Sequence, residues 1–213
     1  MRLDRLLVAR GYFSTREKAK LAIRLGRVLV SGKPVRKPAK QVSPDARIEV
    51  LSPEVPRGYW KLAELDGKWR LFRGDEVVLD LGSSAGGFLL YASERAAYVY
   101  GIEVSAEFEK ELREIEASRS NVMVFMGDAF TFDVSRLPDV DMILADLTLP
   151  AEHAFKALQR FLPKLKTGGR VLFVAKTGSS AQIEPEFAGT GLKTLRYKDA
   201  ENKRERYYLL QKI

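Results

Sequence analysis

Two lysines and two carboxylates stand where they could handle a proton and a developing negative charge. Lys61 lies in the segment Gly58-Tyr-Trp-Lys-Leu-Ala-Glu-Leu, Asp146 and Lys176 close the apolar runs 141–145 and 170–175, and Glu205 opens the run 206–211. A lysine can accept a hydroxyl proton if desolvation lowers its pKa, or stay charged and stabilise an alkoxide, while neighbouring carboxylates orient it. That set suits an in-line displacement at carbon, which needs positioning and removal of a hydroxyl proton but no metal and no covalent intermediate. The absence of Cys and the single His, His153, exclude disulfides, thiolate zinc sites, Cys-nucleophile chemistry and multi-histidine metal sites, so no metal is expected.

These groups must be positioned around a ligand, and the stretch Val77 to Phe88 shows where. An apolar run ends on Asp80 and opens into Leu81-Gly82-Ser83-Ser84-Ala85-Gly86-Gly87-Phe88, a glycine-rich turn leading into a helix. Gly82, Gly86 and Gly87 allow a sharp twist and close ligand approach, and the following helix aims its free N–H groups at the same place. The candidate cofactor contacts are Asp80, Gly82, Ser83, Ser84, Gly86, Gly87 and Phe88. Glu103 follows at the end of the next apolar run, where a carboxylate can take both hydroxyls of a ribose, and Asp128 with Ala129 follows the third, within reach of an adenine amino group.

From residue 76 short apolar runs alternate with helical patterns: strands to Leu81, Tyr98–Ile102, Val122–Met126, Asp141–Ala145 and Arg170–Ala175, with helices from Gly86, Ala106–Ser118 and Ala151–Leu165. This alternation predicts a doubly wound parallel sheet, whose ligands sit outside the C-terminal strand ends. Two final strands, Leu192–Tyr197 and Arg206–Gln211, flank a charged turn and predict a terminal antiparallel hairpin.

Before residue 52 the chain reads differently. Residues 1–51 hold 13 Lys and Arg against 4 Asp and Glu, a net +9 in a chain whose total is +8. Concentrated charge of this kind is the footprint of a polyanion-binding module. Leu3, Leu6, Leu7 and Ala9 predict a short helix that Gly11 ends; Ser14 and Glu17 predict a capping box for a second, with Ala19, Ala22, Ile23 and Leu25 as its apolar stripe. Val28–Val30, the turn Ser31-Gly32, Lys33–Val35 and Ile48–Leu51 predict a small sheet, and Tyr12 and Phe13 are expected in its core. Arg2, Arg5, Arg16, Lys18, Lys20, Arg24 and Arg27 are the candidate contacts to a nucleic-acid phosphate backbone. The expected organisation is a basic domain over 1–51, a Pro- and Gly-containing linker over 52–58 and a larger α/β domain over 59–213. No run approaches the roughly 20 apolar residues of a membrane helix, so a cytoplasmic protein with no membrane partner is expected.

The residues Arg2-Leu3-Asp4-Arg5-Leu6-Leu7, Ser14-x-x-Glu17-x-Ala19 and Gly26-x-Val28-x-Val30-x-Gly32 resemble the S4 domain, a small α+β unit that binds structured RNA. In order and context Lys61, Asp146, Lys176 and Glu205 resemble the Lys-Asp-Lys-Glu tetrad of FtsJ-like RNA ribose 2′-O-methyltransferases. The fusion of the two is similar to the TlyA, or haemolysin-A-like, family. The resemblance implies a Rossmann-like fold, S-adenosyl-L-methionine as cofactor, RNA and in particular ribosomal RNA as substrate, Lys176 as the central catalytic group, Asp146 and Glu205 as its orienting partners and Lys61 as a ribose-positioning group. The tetrad's flanks depart from the family pattern, with Leu147-Thr148-Leu149 after Asp146 and Thr177-Gly178-Ser179 after Lys176. The absence of an aromatic after Asp146 disfavours methylation of an exocyclic base amine, and the absence of Cys excludes methylation at cytosine C5. The competing expectations are a non-catalytic RNA-binding assembly factor and a nicotinamide-dependent oxidoreductase, which would bind the methyl donor weakly or not at all.

Overall fold

The computed structural model describes residues 1–24, 26–51, 55–176, 187–200 and 204–213. The chain divides into two compact units, Met1–Trp60 and Lys61–Ile213. Leu25, part of the linker and the flanking residues after Lys176 lie outside the described residues, as do the middle residues of the final charged turn.

In the first unit α1 (Leu3–Ala9) and α2 (Arg16–Arg24) precede β1 (Val28–Val30), β2 (Lys33–Pro34) and β3 (Ile48–Val50), which form an antiparallel sheet in the order β2-β1-β3. Leu3, Leu6, Leu7, Phe13, Ala19, Ala22, Ile23 and Val28 are buried. Two local expectations shift. The cap of α2 is Thr15, whose Oγ1 accepts from Lys18 N at 3.3 Å, so the capping residue stands one position later than Ser14. Tyr12 is exposed rather than core, while Phe13 is buried as expected.

The helix α3 (Arg57–Trp69) starts inside the expected linker. Pro56 lies just before its first turn, where a missing N–H costs nothing, and Gly58 is helical. The second unit continues with β4 (Val77–Leu81), α4 (Gly87–Ser93), β5 (Tyr98–Glu103), α5 (Glu109–Ser118), β6 (Val122–Met126), β7 (Val140–Ala145), α6 (Ala151–Gln159), β8 (Leu165–Lys176), β9 (Leu192–Asp199) and β10 (Glu205–Lys212). One sheet runs β6-β5-β4-β7-β8-β10-β9, parallel as far as β8 and antiparallel for β10 and β9. The last strand therefore inserts between β8 and β9, and β9 forms the edge. Helix α6 ends six residues before the expected Leu165 and gives way to a 3-10 turn at Leu162–Lys164, because Pro163 cannot continue an α-helix.

Side chains alternate between the two faces of the sheet. Phe173 of β8 and Tyr208 of β10 are paired and buried on the face covered by α6, where Phe155 meets Phe173 edge to face with centroids 5.7 Å apart. Lys176 and Glu205, three residues further along each strand, fall on the opposite face. The strand order reverses at β4, between β5 and β7, and the ligand crevice of such a sheet opens there.

Candidate active site

A cleft of about 590 Å³ lies at that reversal, lined by Gly82, Ser84, Glu103, Asp128, Ala129 and Asp146 among the residues singled out from sequence. Ser83, Gly86, Gly87 and Phe88 are buried behind the turn and do not border it. Val104, Phe108, Phe130, Leu147 and Leu149 add an apolar lining that sequence reasoning missed. Their signal was position alone: each follows a strand end by a few residues.

The turn has little freedom. Gly82 and Gly86 have φ of 78° and 79°, and a Cβ on Gly86 would stand 2.2 Å from Ile115 Cδ1, so both backbone conformation and packing require glycine there. Glu103 is pinned across the turn: Oε2 accepts from Ser84 N at 2.7 Å and Oε1 from Ser105 N at 2.8 Å. Asp128 Oδ1 accepts from Phe130 N at 2.9 Å. Asp80 is different, since it is 1 % exposed and neither carboxylate oxygen has a hydrogen-bond partner among the described residues. Burial raises its pKa to about 7 against an opposing pull from the nearby Ser83 hydroxyl, which hydrogen-bonds the Asp80 backbone carbonyl at 3.3 Å, and the Asp146 and Glu103 charges act in the same direction as burial. A buried carboxylate without a hydrogen-bond partner among the described residues is costly, and Asp80, like Ser83, lies behind the turn and does not border the cleft.

The four residues from the opening of the sequence argument converge at one side of the cleft. Lys61 Nζ donates to Asp146 Oδ2 at 2.6 Å and to Glu205 Oε1 at 3.2 Å; Lys176 Nζ donates to Asp146 Oδ1 at 2.5 Å and to Glu205 Oε1 at 2.8 Å. Each carboxylate bridges both ammoniums, and all four side chains are 16–28 % exposed. Burial works against the Lys176 ammonium, but Asp146 and Glu205 outweigh it and hold its pKa above the ordinary lysine value. Burial also disfavours the Glu205 carboxylate, yet Lys176 and Lys61 bring its pKa down to about 2. Tyr207 donates its hydroxyl to Glu205 Oε2 at 3.1 Å; burial and the adjacent carboxylate raise its pKa. Its period-two spacing from Glu205 was the signal that could have found it.

The basic residues of the first unit divide. Arg2 and Arg16 are committed to Asp4, which is fully buried: Arg2 Nε donates to Oδ1 at 3.0 Å and Arg16 Nη2 to Oδ2 at 2.9 Å. These bonds hold the Asp4 carboxyl well below the usual range despite its burial. Lys20 pairs with Glu17 at 2.6 Å, and Arg27 lies over the Tyr59 ring at 5.0 Å from its centroid. Arg5 and Arg24 are exposed and Lys18 is half-buried.

Residues 55–187 match the family described as FtsJ-like methyltransferase, and the chain belongs to that family. Residues 1–48 match the S4 domain. YqxC of Bacillus subtilis is 29 % identical over 195 residues, covering 87 % of this chain and 64 % of its own length. The 16S/23S rRNA (cytidine-2′-O)-methyltransferase TlyA of Mycobacterium tuberculosis is 29 % identical over 174 residues, covering 77 % of this chain and 60 % of its own length. The chain thus spans less than two thirds of these relatives. The solved Methanococcus jannaschii fibrillarin pre-rRNA processing protein shares the fold, with a TM-score of 0.61 and 24 % identity over 78 % of this chain and 77 % of its own.

Proposed function

We propose that the protein transfers a methyl group from S-adenosyl-L-methionine to a ribose 2′-hydroxyl of RNA, with ribosomal RNA as the substrate class. The observation that carries this reading is the bridge made by Asp146, which borders the cleft and holds both Lys61 and Lys176. One carboxylate links a cofactor-sized cavity to a cationic cluster at its edge.

The residues present fit that cofactor. Asp80, buried behind the turn without a hydrogen-bond partner among the described residues, would supply a counter-charge to a cationic donor, the pinned Glu103 keeps acceptor capacity for ribose hydroxyls, and the apolar lining suits a purine. When bound, the donor supplies an electrophilic methyl on a sulfonium. The chain's own groups then act on the nucleophile. Lys176, held as an ammonium, donates to the attacking hydroxyl oxygen and stabilises its alkoxide character rather than taking its proton. As the hydroxyl oxygen takes the methyl in place of the sulfur, its acidified proton would leave toward the Asp146 and Glu205 carboxylates. Lys61 fixes the orientation of both carboxylates. The activity in TlyA's name supports the ribose as acceptor, and the S4 match with the basic first unit supports an RNA substrate.

The test is transfer of labelled methyl from S-adenosyl-L-methionine to ribosomal RNA and to intact ribosomal subunits, followed by digestion to nucleosides. A 2′-O-methylated nucleoside that is lost in Lys176→Ala is the expected result. Label on a base would overturn the assignment of the acceptor, and label that persists in the variant would overturn that of the cluster.

A further inference from the structure

Each parallel crossover from β4 to β8 carries an α-helix except one: residues 127–139, between β6 and β7, form only a 3-10 turn at Val134–Arg136. In a wound sheet that crossover would lay a helix over β5 and β6, on the side that α6 covers over β8. A row of side chains from the two strands lies there instead. Tyr98 and Tyr100 alternate to this face of β5, and Met123 and Phe125 to the same face of β6, with Tyr100 paired to Met123 in the register. Tyr100 and Phe125 pack on the margin of the core that α6 covers, yet Tyr98, Tyr100 and Phe125 are only half-buried and Met123 is 39 % exposed.

The rings form one continuous ladder. The Tyr98 and Tyr100 centroids are 4.8 Å apart, Tyr100 and Phe125 stack at 6.4 Å with planes 5° apart, and Phe125 meets Phe132 at 5.4 Å. The Arg136 guanidinium lies 4.6 Å from the Phe125 centroid and 5.5 Å from that of Phe132. Arg136 is exposed and makes no ion pair or hydrogen bond among the described residues, and the Asp133 carboxylate near it accepts instead from Ser135 N at 3.0 Å and Ser135 Oγ at 2.7 Å. The Tyr98 and Tyr100 hydroxyls likewise have no hydrogen-bond partner among the described residues, and neither strand places a charged residue on this face. One end of the ladder reaches the cleft, since Phe132 closes the segment 127–132 whose Asp128, Ala129 and Phe130 line it.

Shielding the core from water accounts for apolar rings at the margin of a sheet, but not for an arginine held on them without an anion. An apolar helix docked on this face would bury two tyrosine hydroxyls and a guanidinium without partners. Single-stranded RNA meets all of these groups: bases stack on the rings, base edges and ribose hydroxyls hydrogen-bond to tyrosine, and a phosphate pairs with the guanidinium. We infer that the β5–β6 face is a binding surface for single-stranded RNA, with bases on Tyr98 and Tyr100 and a phosphate on Arg136, along the path of the substrate strand beside the cleft. This inference deepens the RNA methyltransferase reading and rests on it for the link between this surface and the cleft.

The test uses the full chain and a fluorescein-labelled decauridylate, with anisotropy read over a range of salt concentrations, together with photo-crosslinking of a thiouridine-substituted oligomer and peptide mapping. Crosslinks are expected on the peptide that holds Tyr98 and Tyr100. Tyr98→Leu/Tyr100→Leu should bind about tenfold more weakly at an unchanged salt slope, the effect of lost base stacking, while Tyr98→Phe/Tyr100→Phe, which keeps the rings, stays within about threefold of wild type. Arg136→Gln should make the log–log salt slope shallower by about 0.7, the value for one single-strand phosphate contact. Met123→Glu tests the same face at an exposed position without touching the rings, and should weaken binding about threefold by repulsion. Calorimetry with S-adenosyl-L-methionine should give wild-type affinity in every variant. Crosslinks confined to the first unit, with affinity and slope unchanged in Arg136→Gln and Met123→Glu, remove this surface, and methyl transfer by the wild type then leaves the reaction standing. Crosslinks on Tyr98 or Tyr100 in a protein that transfers no methyl remove the reaction and leave the surface. A dimer in sedimentation that Met123→Glu dissociates, with RNA binding unchanged, overturns the inference and assigns the face to a second copy of the chain.

Discussion

Glu205 lies directly opposite Lys176 in the antiparallel β8–β10 ladder, and its Oε1 accepts from Lys176 Nζ at 2.8 Å. The pairing is a cross-strand contact made by two backbones, so the position of the lysine depends on the insertion of the last strand next to β8. Had β9 taken that place, Glu205 would stand one strand further out, roughly 5 Å away.

Replacing Lys176 by Ala is expected to lower methyl transfer by about 10² or more, the range for a positioned proton-handling or charge-stabilising group, with cofactor affinity within about twofold of wild type. Single-turnover transfer combined with calorimetry separates the two effects. A variant with near-wild-type turnover would contradict the role assigned to the cluster.

Tyr207→Phe removes the hydrogen bond to Glu205 Oε2 while keeping the ring in place. The expected effect is a kcat lower by about three- to tenfold, close to the free energy of one ordinary hydrogen bond. KM for the cofactor should not change. Glu205→Gln should lower kcat further, since it removes the charge that holds Lys176 as an ammonium, and its pH–rate profile should shift on the alkaline side.

Asp80→Asn tests the unpartnered carboxylate. Its pKa is raised to about 7 in the folded chain against the ordinary 3.8, so the folded state holds a proton that the unfolded state has released. The stability from this group is present below about pH 4 and is lost as pH rises through about 7. Thermal unfolding of the cofactor-free protein should therefore show stability falling over that window, and the Asn variant should lack the slope. In the same variant, affinity for S-adenosyl-L-methionine should drop by about tenfold, the loss of one charge-assisted contact, and the wild-type gain in affinity from pH 6 to 8 should disappear.

Asp4→Ala leaves Arg2 and Arg16 without the buried carboxylate they share. The loss is expected to be smaller than for a pair buried on both sides, because the Arg2 and Arg16 side chains are 37 % and 43 % exposed and solvent screens them. The first unit is expected to melt earlier while the second unit keeps its transition, which near-UV spectroscopy of Tyr and Trp can follow. A single unshifted transition would show that Asp4 carries no structural weight.

Much of this protein was legible from residue type and order. The glycine-rich turn needs a chain without Cβ atoms at Gly82 and Gly86, and the alternation of apolar runs with amphipathic segments has few foldable solutions other than a wound parallel sheet. Asp146, Lys176 and Glu205 stood at strand ends, where such a sheet exposes its ligands, and Lys61 stood in the segment before the first of those strands. Less visible were the residues whose roles come from neighbours distant in sequence. The hydrogen bond of Tyr207 depends on the side-chain direction of Glu205, and the bonds of Arg2 and Arg16 to Asp4 depend on the burial of that carboxylate, neither of which residue order shows.

The sequence by itself determined the types of chemistry available, the two basic and α/β segments, and the strand ends at which a cofactor and a tetrad could sit, since these follow from local propensity and periodicity. Only the tertiary structure decided that Asp146 bridges both lysines at the margin of the cleft, that Asp80 is buried with no hydrogen-bond partner among the described residues, and that the last strand inserts beside β8. Those outcomes depend on strand order and register, which are set by burial over the whole sheet rather than by any one segment.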